Sequence, residues 1–232
     1  MDALTSIQWD VMFRPEFRAM LLKGIETTLM LTAGALVGGL LLGMGVAFCR
    51  LAPSRWIRVP ATVYVELVRT IPLLVHLMFW YFAVPELLPD ETRRALYKHD
   101  VGFYAALCAL ILYSAAFISE DLRSGVRGIP RGQAEAANSL GFGFLDTFRL
   151  VILPQALRAT VPPLLGQAMT IAKNTTVAMM IGVTELAAVT QAVQDASFLS
   201  VGVYAFTSVF FLLIAVVLTG LGQWYQRRFP AR

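Results

Sequence analysis

Five apolar runs, at about 25–49, 59–84, 103–119, 161–183 and 199–224, dominate the chain, and each is long enough to cross a hydrocarbon core as an α-helix. A bilayer core offers peptide groups no hydrogen-bond partners, so runs of this kind span it as helices. The fold class expected is therefore an all-α integral membrane protein with about five transmembrane helices. Composition agrees: 57% of the 232 residues are hydrophobic, 15% are charged and the mean hydropathy is +0.67, unlike a soluble core. A single transmembrane domain, 1–232, is expected. The net charge of +4 comes from Arg near the ends of the runs, which suits an anionic membrane surface and membrane lipid better than nucleic acid. Cys49 and Cys108 lie in apolar runs without ligand-type neighbours, so neither a disulfide nor a metal site is expected. Asp2, Asp10, Arg14, Glu16 and Arg18 precede the first run, unlike the basic leader of a signal peptide, and this segment is expected to stay on the mature chain.

Between the third and fourth runs lies a polar, glycine-broken stretch, about 123–154, that cannot span. Its centre reads EAANSLGFGFLDTFRLVILP, from Glu135 to Pro154. Residues 134–140 favour a helix with small Ala residues on one side, a face that permits close approach. Gly141 follows as a helix C-terminal residue able to turn left-handed. Phe142, Phe144, Leu145 and Phe148 then present apolar surface outside the membrane, and such a surface needs a partner.

Basic residues set the orientation. Arg50, Arg55, Arg58, Arg123, Arg127, Arg131, Arg149, Arg227, Arg228 and Arg232 fall on one side. The other side holds only Arg14, Arg18, Lys23, Arg93, Arg94 and Lys98. Positive charge favours the cytoplasm, so the N-terminus is expected outside, and the C-terminus and the Glu135 loop inside.

The loop resembles the signature of ABC-importer permease subunits, in which EAA is followed by three residues, a Gly, nine residues and Ile-x-Leu-Pro. Glu135, Ala136, Ala137, Gly141, Leu153 and Pro154 fall on that pattern, with Val151 in the Ile place. Two further elements, YVELVRTIPLLVHLMFWYFAVPELLP from Tyr64 and KNTTV from Lys173, are similar to the polar amino acid branch of that family, which covers His, Glu, Gln, Arg and opine permeases. The glutamate/aspartate permease subunits are the most similar. The resemblance implies a type I importer permease with a cytoplasmic coupling-helix loop, in a bacterial cytoplasmic (inner) membrane. It also implies an ABC ATPase dimer, a second permease subunit (a paralogue, or a second copy of this chain) and an external amino acid-binding protein. ATP and Mg would sit on the ATPase, with no cofactor on this chain. The mixed-charge segment between runs two and three, from Pro85 to Asp100, would face the binding protein.

Polar residues inside the runs point to a pathway. Gln167, Thr170, Lys173 and Asn174 recur at three-to-four spacing and form one stripe on a helix, with Lys173 near the middle of the fourth run. A lone lysine at that depth costs roughly 2.5 to 3.5 kcal/mol unless it is paired or faces water. It lines a hydrated pathway, or it pairs with Glu66, Glu120 or Glu185. Glu66 and Arg69 share one face of a helix and form a structural or coupling pair near the inner interface. Gly34, Gly38, Gly39, Gly43 and Gly45 in the first run give overlapping GxxxG spacings for close helix packing.

No Gly-Lys pair occurs, so the phosphate-cradling G-x-x-x-x-G-K-[ST] loop is absent and ATP hydrolysis falls to a partner. A membrane-embedded hydrolase is disfavoured: His76 and His99 are the only histidines, and neither G-x-S-x-G nor H-E-x-x-H is present. An ATP-independent channel or carrier remains as the other class of reading.

Overall fold

A computed structural model describes residues 14–229, and its elements are helices: α1 (Pro15–Leu51), α2 (Arg55–Thr70), α3 (Leu73–Met78), α4 (Asp90–Leu96), α5 (Val101–Arg127), α6 (Arg131–Ser139), α7 (Leu153–Asn174), α8 (Leu186–Ser197) and α9 (Ser200–Arg228). Asp2, Asp10 and Arg232, which entered the reading of the termini, lie outside the described residues. α1, α5 and α9 are each long and apolar enough to cross a membrane alone, and they contain or closely match the first, third and fifth runs.

The second and fourth runs are not straight helices. α2 stops at Thr70, and the chain restarts at Leu73 after Pro72, whose φ of −58° and ψ of 142° are extended. Proline has no N–H to continue the ladder and disfavours helical geometry in the residue before it, so a break falls here. Phe79–Ala83 then forms a π turn just ahead of Pro85, another missing donor. The fourth run is the bent pair Phe144–Ile181 and Leu186–Ser197, with 55° between its arms. Lys173 lies near the middle of this bent run, one residue before the C-terminal end of α7. Thr175 and Thr176 give their hydroxyl protons to the carbonyls of Ala172 (2.8 Å) and Lys173 (2.7 Å), which tightens the chain into the 3-10 turn Thr175–Ile181. Gly182, at φ 83°, ends that turn in the left-handed region where a Cβ is disfavoured.

Contacts divide the described chain into two units. The first comprises 14–37, 71–111 and 169–216. Its core gathers Phe17 and Leu21 of α1, Leu186, Val189 and Val193 of α8, and Val203 of α9. Gly24 lets α1 approach α8 so closely that a Cβ there would stand 3.0 Å from Leu186 Cα. Buried Glu185 caps α8, accepting from the amides of Ala187 (2.9 Å) and Ala188 (2.8 Å), while Thr28 of α1 accepts from the Leu186 amide at 3.0 Å. A capping carboxylate on the first turn of a helix satisfies donors that would otherwise be orphaned.

The second unit comprises 38–70, 112–168 and 217–229. Gly39 and Gly43, one helical turn apart on α1, meet Ser114 and Ile118 of α5, and a Cβ on Gly43 would lie 3.0 Å from the Ala115 carbonyl. Gly45 faces open space, so only part of the glycine pattern serves packing. An ionic node sits beside this contact. Arg50, 7% exposed, donates to Glu120 at 2.6 Å, and Arg123 engages both oxygens of the same carboxylate. A buried guanidinium without a counterion would be strongly unfavourable, so Glu120 is what permits Arg50 to lie inside. Glu120→Ala is expected to destabilise the chain by about 3 kcal/mol or more, because it strands Arg50. Thermal unfolding in detergent checks this, and Arg123→Gln, which leaves the Arg50 pair intact, should lower the midpoint less.

Candidate functional site

The polar stretch after α5 folds as the helix, turn and second helix that its composition suggests, within the second unit. α6 runs from Arg131 to Ser139, begins after Pro130 and ends in a double hydrogen bond: the Gly141 amide donates to Asn138 O (2.9 Å) and the Phe142 amide to Ala137 O (3.1 Å). These are the two bonds of a Schellman ending, which requires a left-handed residue at the first position beyond the cap. Gly141 supplies it, at φ 87° with open space around its missing Cβ. The penalty for a substitution there is therefore conformational and not steric.

The other signature residues spread around this turn. Glu135 and Ala136 are exposed, whereas Ala137, 4% exposed, faces inward. α6 lies against the π turn Thr147–Ile152, where the Thr147 hydroxyl bonds the Asn138 amide oxygen at 3.3 Å. That turn precedes Pro154, which is exposed in the first turn of α7 and has no N–H for a regular ladder. Leu153 is half-buried and lines an apolar cavity of about 80 Å³ with Met44, Phe48, Leu51 and Leu122. Phe148 points into the same cavity, so it does not belong to the exposed surface expected of it. Leu140, Phe144 and Leu145 form that surface instead, each more than three-quarters exposed, with Phe142 at its edge. The sequence reading placed Leu140 in the helix-forming run 134–140 and did not count it among the surface residues.

Gln167, Thr170, Lys173 and Asn174 all lie on α7, in different surroundings. In the second unit Gln167 donates to Asp121 at 3.0 Å, and Arg69 lays its guanidinium over the Phe117 ring, 5.3 Å from the centroid. Glu66 and Arg69 are both exposed on α2, and Arg69 turns to Phe117 instead of joining Glu66 in the expected ion pair. In the first unit Thr170 and Lys173 are exposed, and Asn174 closes α7. Glu120 is taken up by the two arginines and Glu185 by the α8 cap, so neither is the counterion of Lys173. Lys173 instead lines an open cavity of about 390 Å³ with Thr176, Thr190, Tyr204, Thr207 and Ser208. Sequence reasoning missed the α9 side of this cavity. Its signal was present, since Tyr204, Thr207, Ser208 and Phe211 fall at i, i+3, i+4 and i+7, one face of a helix that is otherwise apolar.

Comparisons with known proteins place this geometry in a family. The profile of the family described as "binding-protein-dependent transport system inner membrane component" matches residues 39–230. The chain belongs to this family. The glutamate transport system permease protein GluC of Corynebacterium efficiens is 34% identical over 89% of this chain and 93% of its own length. The probable glutamine ABC transporter permease protein GlnM of Bacillus subtilis is 33% identical over 90% of this chain and 93% of its own. A solved amino acid ABC transporter crystallised with histidines superposes with a TM-score of 0.82 at 26% identity, covering 92% of this chain and 96% of that one. The fold is thus that of an ABC importer permease.

The Schellman ending is the local element most open to test. Gly141→Val should cost roughly 1–2 kcal/mol through its left-handed backbone, whereas Gly141→Asn, which tolerates that region, should cost less. Hydrogen exchange of the Gly141 and Phe142 amides should accelerate in the valine variant and stay near wild type in the asparagine one. Equal protection in all three proteins would show that the turn does not depend on glycine.

Proposed function

We propose that this chain is a permease subunit of an ATP-driven ABC importer of polar amino acids, with glutamate or aspartate as cargo. One observation carries the reading: a glycine-ended helix presents Glu135 and Ala136 beside the exposed apolar residues Leu140, Phe144 and Leu145, in a stretch too polar to lie in the membrane core. An apolar platform of this kind is stable in water only when a partner covers it. The partner of this reading is an ABC ATPase dimer, which hydrolyses ATP and holds the Mg, so the permease itself is not an enzyme. Glu135, Ala136, Ala137, Gly141, Leu153 and Pro154 form or brace the docking element.

Closure of the ATPase dimer would drive the α6 elements of two permease subunits together and rock the membrane helices to the outward-open state. A paralogous permease is the favoured second subunit. An external binding protein delivers the amino acid, and the pathway passes Thr170, Lys173 and Asn174, with Gln167, on the same helix, held by Asp121 of α5. Glu66 and Arg69 serve structure or coupling through separate contacts. The acidic cargo is supported by the relative named for glutamate. Glutamine is the second reading, favoured by the relative of similar identity that is named for that substrate.

Proteoliposomes holding the permease pair, the ATPase and the binding protein test the cargo. Labelled glutamate should accumulate only with ATP inside reach of the ATPase, and arginine should not; uptake of arginine without glutamate would reject the acidic assignment.

The orientation has its own test. In a background carrying Cys49→Ser and Cys108→Ser, which removes both native thiols, a cysteine at Ser6 should react with a membrane-impermeant reagent from outside and one at Ala231 should not. The reverse pattern would put the α6 platform on the wrong face for an ATPase.

A further inference from the structure

The cavity beside Lys173 has a polarity that its residues fix. Thr190 spends its single hydroxyl proton on the Leu186 carbonyl at 2.6 Å. At the 2.5 Å contact between Thr190 and Thr207 the proton must therefore come from Thr207, which has the Val203 carbonyl at 3.3 Å as its other outlet. In either case the Thr207 proton is used within the protein, and its oxygen is left as an acceptor. Thr176 is in the same position, because its proton goes to the Lys173 carbonyl. Tyr204 and Ser208 have no partner among the described residues, so their hydroxyls can donate into the cavity. Lys173 adds an ammonium with three donors, at the C-terminal end of α7 where the helix dipole favours a cation. Among the described residues, no carboxylate lines the space.

We infer that this cavity is a carboxylate-binding site that selects an acidic amino acid over a cationic one. The inference rests on the importer reading above and adds the site and its selectivity. Lys173 takes one carboxylate by a charge-assisted hydrogen bond. Tyr204 and Ser208 donate to the second carboxylate. The ligand ammonium meets acceptor oxygens of the threonine hydroxyls, Thr207 and Thr176, whose own protons are used within the protein. A cationic side chain finds no counterion here and meets Lys173 as a like charge, which is how a site rejects a competitor as well as favouring its own ligand. An amide side chain is neutral and falls between the two. The volume, about 390 Å³, lies in the range of small-molecule sites and leaves room for water around the ligand.

The test is equilibrium binding of tritiated glutamate to the complete membrane complex in nanodiscs, with the external binding protein left out. Wild type should bind glutamate, excess unlabelled aspartate should displace it, and arginine should not. Lys173→Met should weaken binding at least about tenfold, the size expected for losing a charge-assisted hydrogen bond, and Lys173→Arg should recover part of it. Tyr204→Phe combined with Ser208→Ala, which removes two hydroxyl oxygens and leaves the ring and backbone in place, should weaken glutamate binding severalfold. It should affect glutamine less. Unchanged affinity in both Lys173→Met and the double variant would overturn the site, and so would displacement by arginine as effective as by aspartate. Failure of the importer reading looks different: the wild-type complex, supplied with binding protein and ATP, would then accumulate no amino acid. A complex that accumulates glutamate but shows no binding sensitive to Lys173, Tyr204 or Ser208 leaves the importer reading standing and removes this site.

Discussion

A hydrocarbon core leaves every peptide group to find its partner within the protein, and the chain's architecture follows from how it meets that demand. Where α1, α5 and α9 run unbroken the demand is met by the helix itself. Where the helices break, the sequence supplies a specific remedy: Pro72 removes a donor at the break it causes, Thr175 and Thr176 donate to carbonyls at the end of α7, and Glu185 receives the amides at the start of α8. Each break also gathers side chains that an intact helix could not. The interruption after Asn174 turns the chain back so that the first turn of α8 and a face of α9 meet Lys173 around one cavity. Discontinuous helices are a recurrent way for transport proteins to build polar sites inside a membrane.

The ionic groups obey the same economy. Arg50 and Arg123 share the Glu120 carboxylate, and Glu185 is taken up by a helix terminus, so two of the acidic residues in the sequence argument are already committed. Lys173 is left exposed to the cavity, and an exposed cation beside unspent hydroxyls is a binding surface in a way that a paired one is not.

Much of this was legible in the amino-acid sequence, and the reasons differ by element. The loop after α5 was readable because its features are local: a helix-forming run, a glycine at the left-handed position and apolar residues beyond it lie within twelve consecutive positions, and the Schellman bonds at Gly141 and Phe142 follow from them. The long apolar runs were readable because length and hydropathy alone decide whether a helix can span. The breaks were harder. Pro72 was visible, but apolar content on both sides made 59–84 look continuous, and the α7 break is made by threonine hydroxyls that could equally have faced solvent. Partner choice was not readable at all. Glu66 and Arg69 are spaced to pair, yet Arg69 finds Phe117, a residue distant in sequence, and Phe148 turns inward because Met44 and Phe48 leave it a cavity. The α9 face was legible in its spacing but carried no charge to draw attention to it.

The account turns on whether the exposed apolar platform after Gly141 is covered by an ATPase. A photoactivatable residue placed at Phe144 of the complete complex in native membranes answers this directly. Irradiation should attach an ATPase subunit to this chain, with a yield that changes when ATP is bound, since closure of the ATPase would shift the surface under Phe144. Attachment to lipid alone, with the ATPase present in the membrane and no protein adduct formed, would contradict the assignment of this loop and with it the coupling of this permease to ATP.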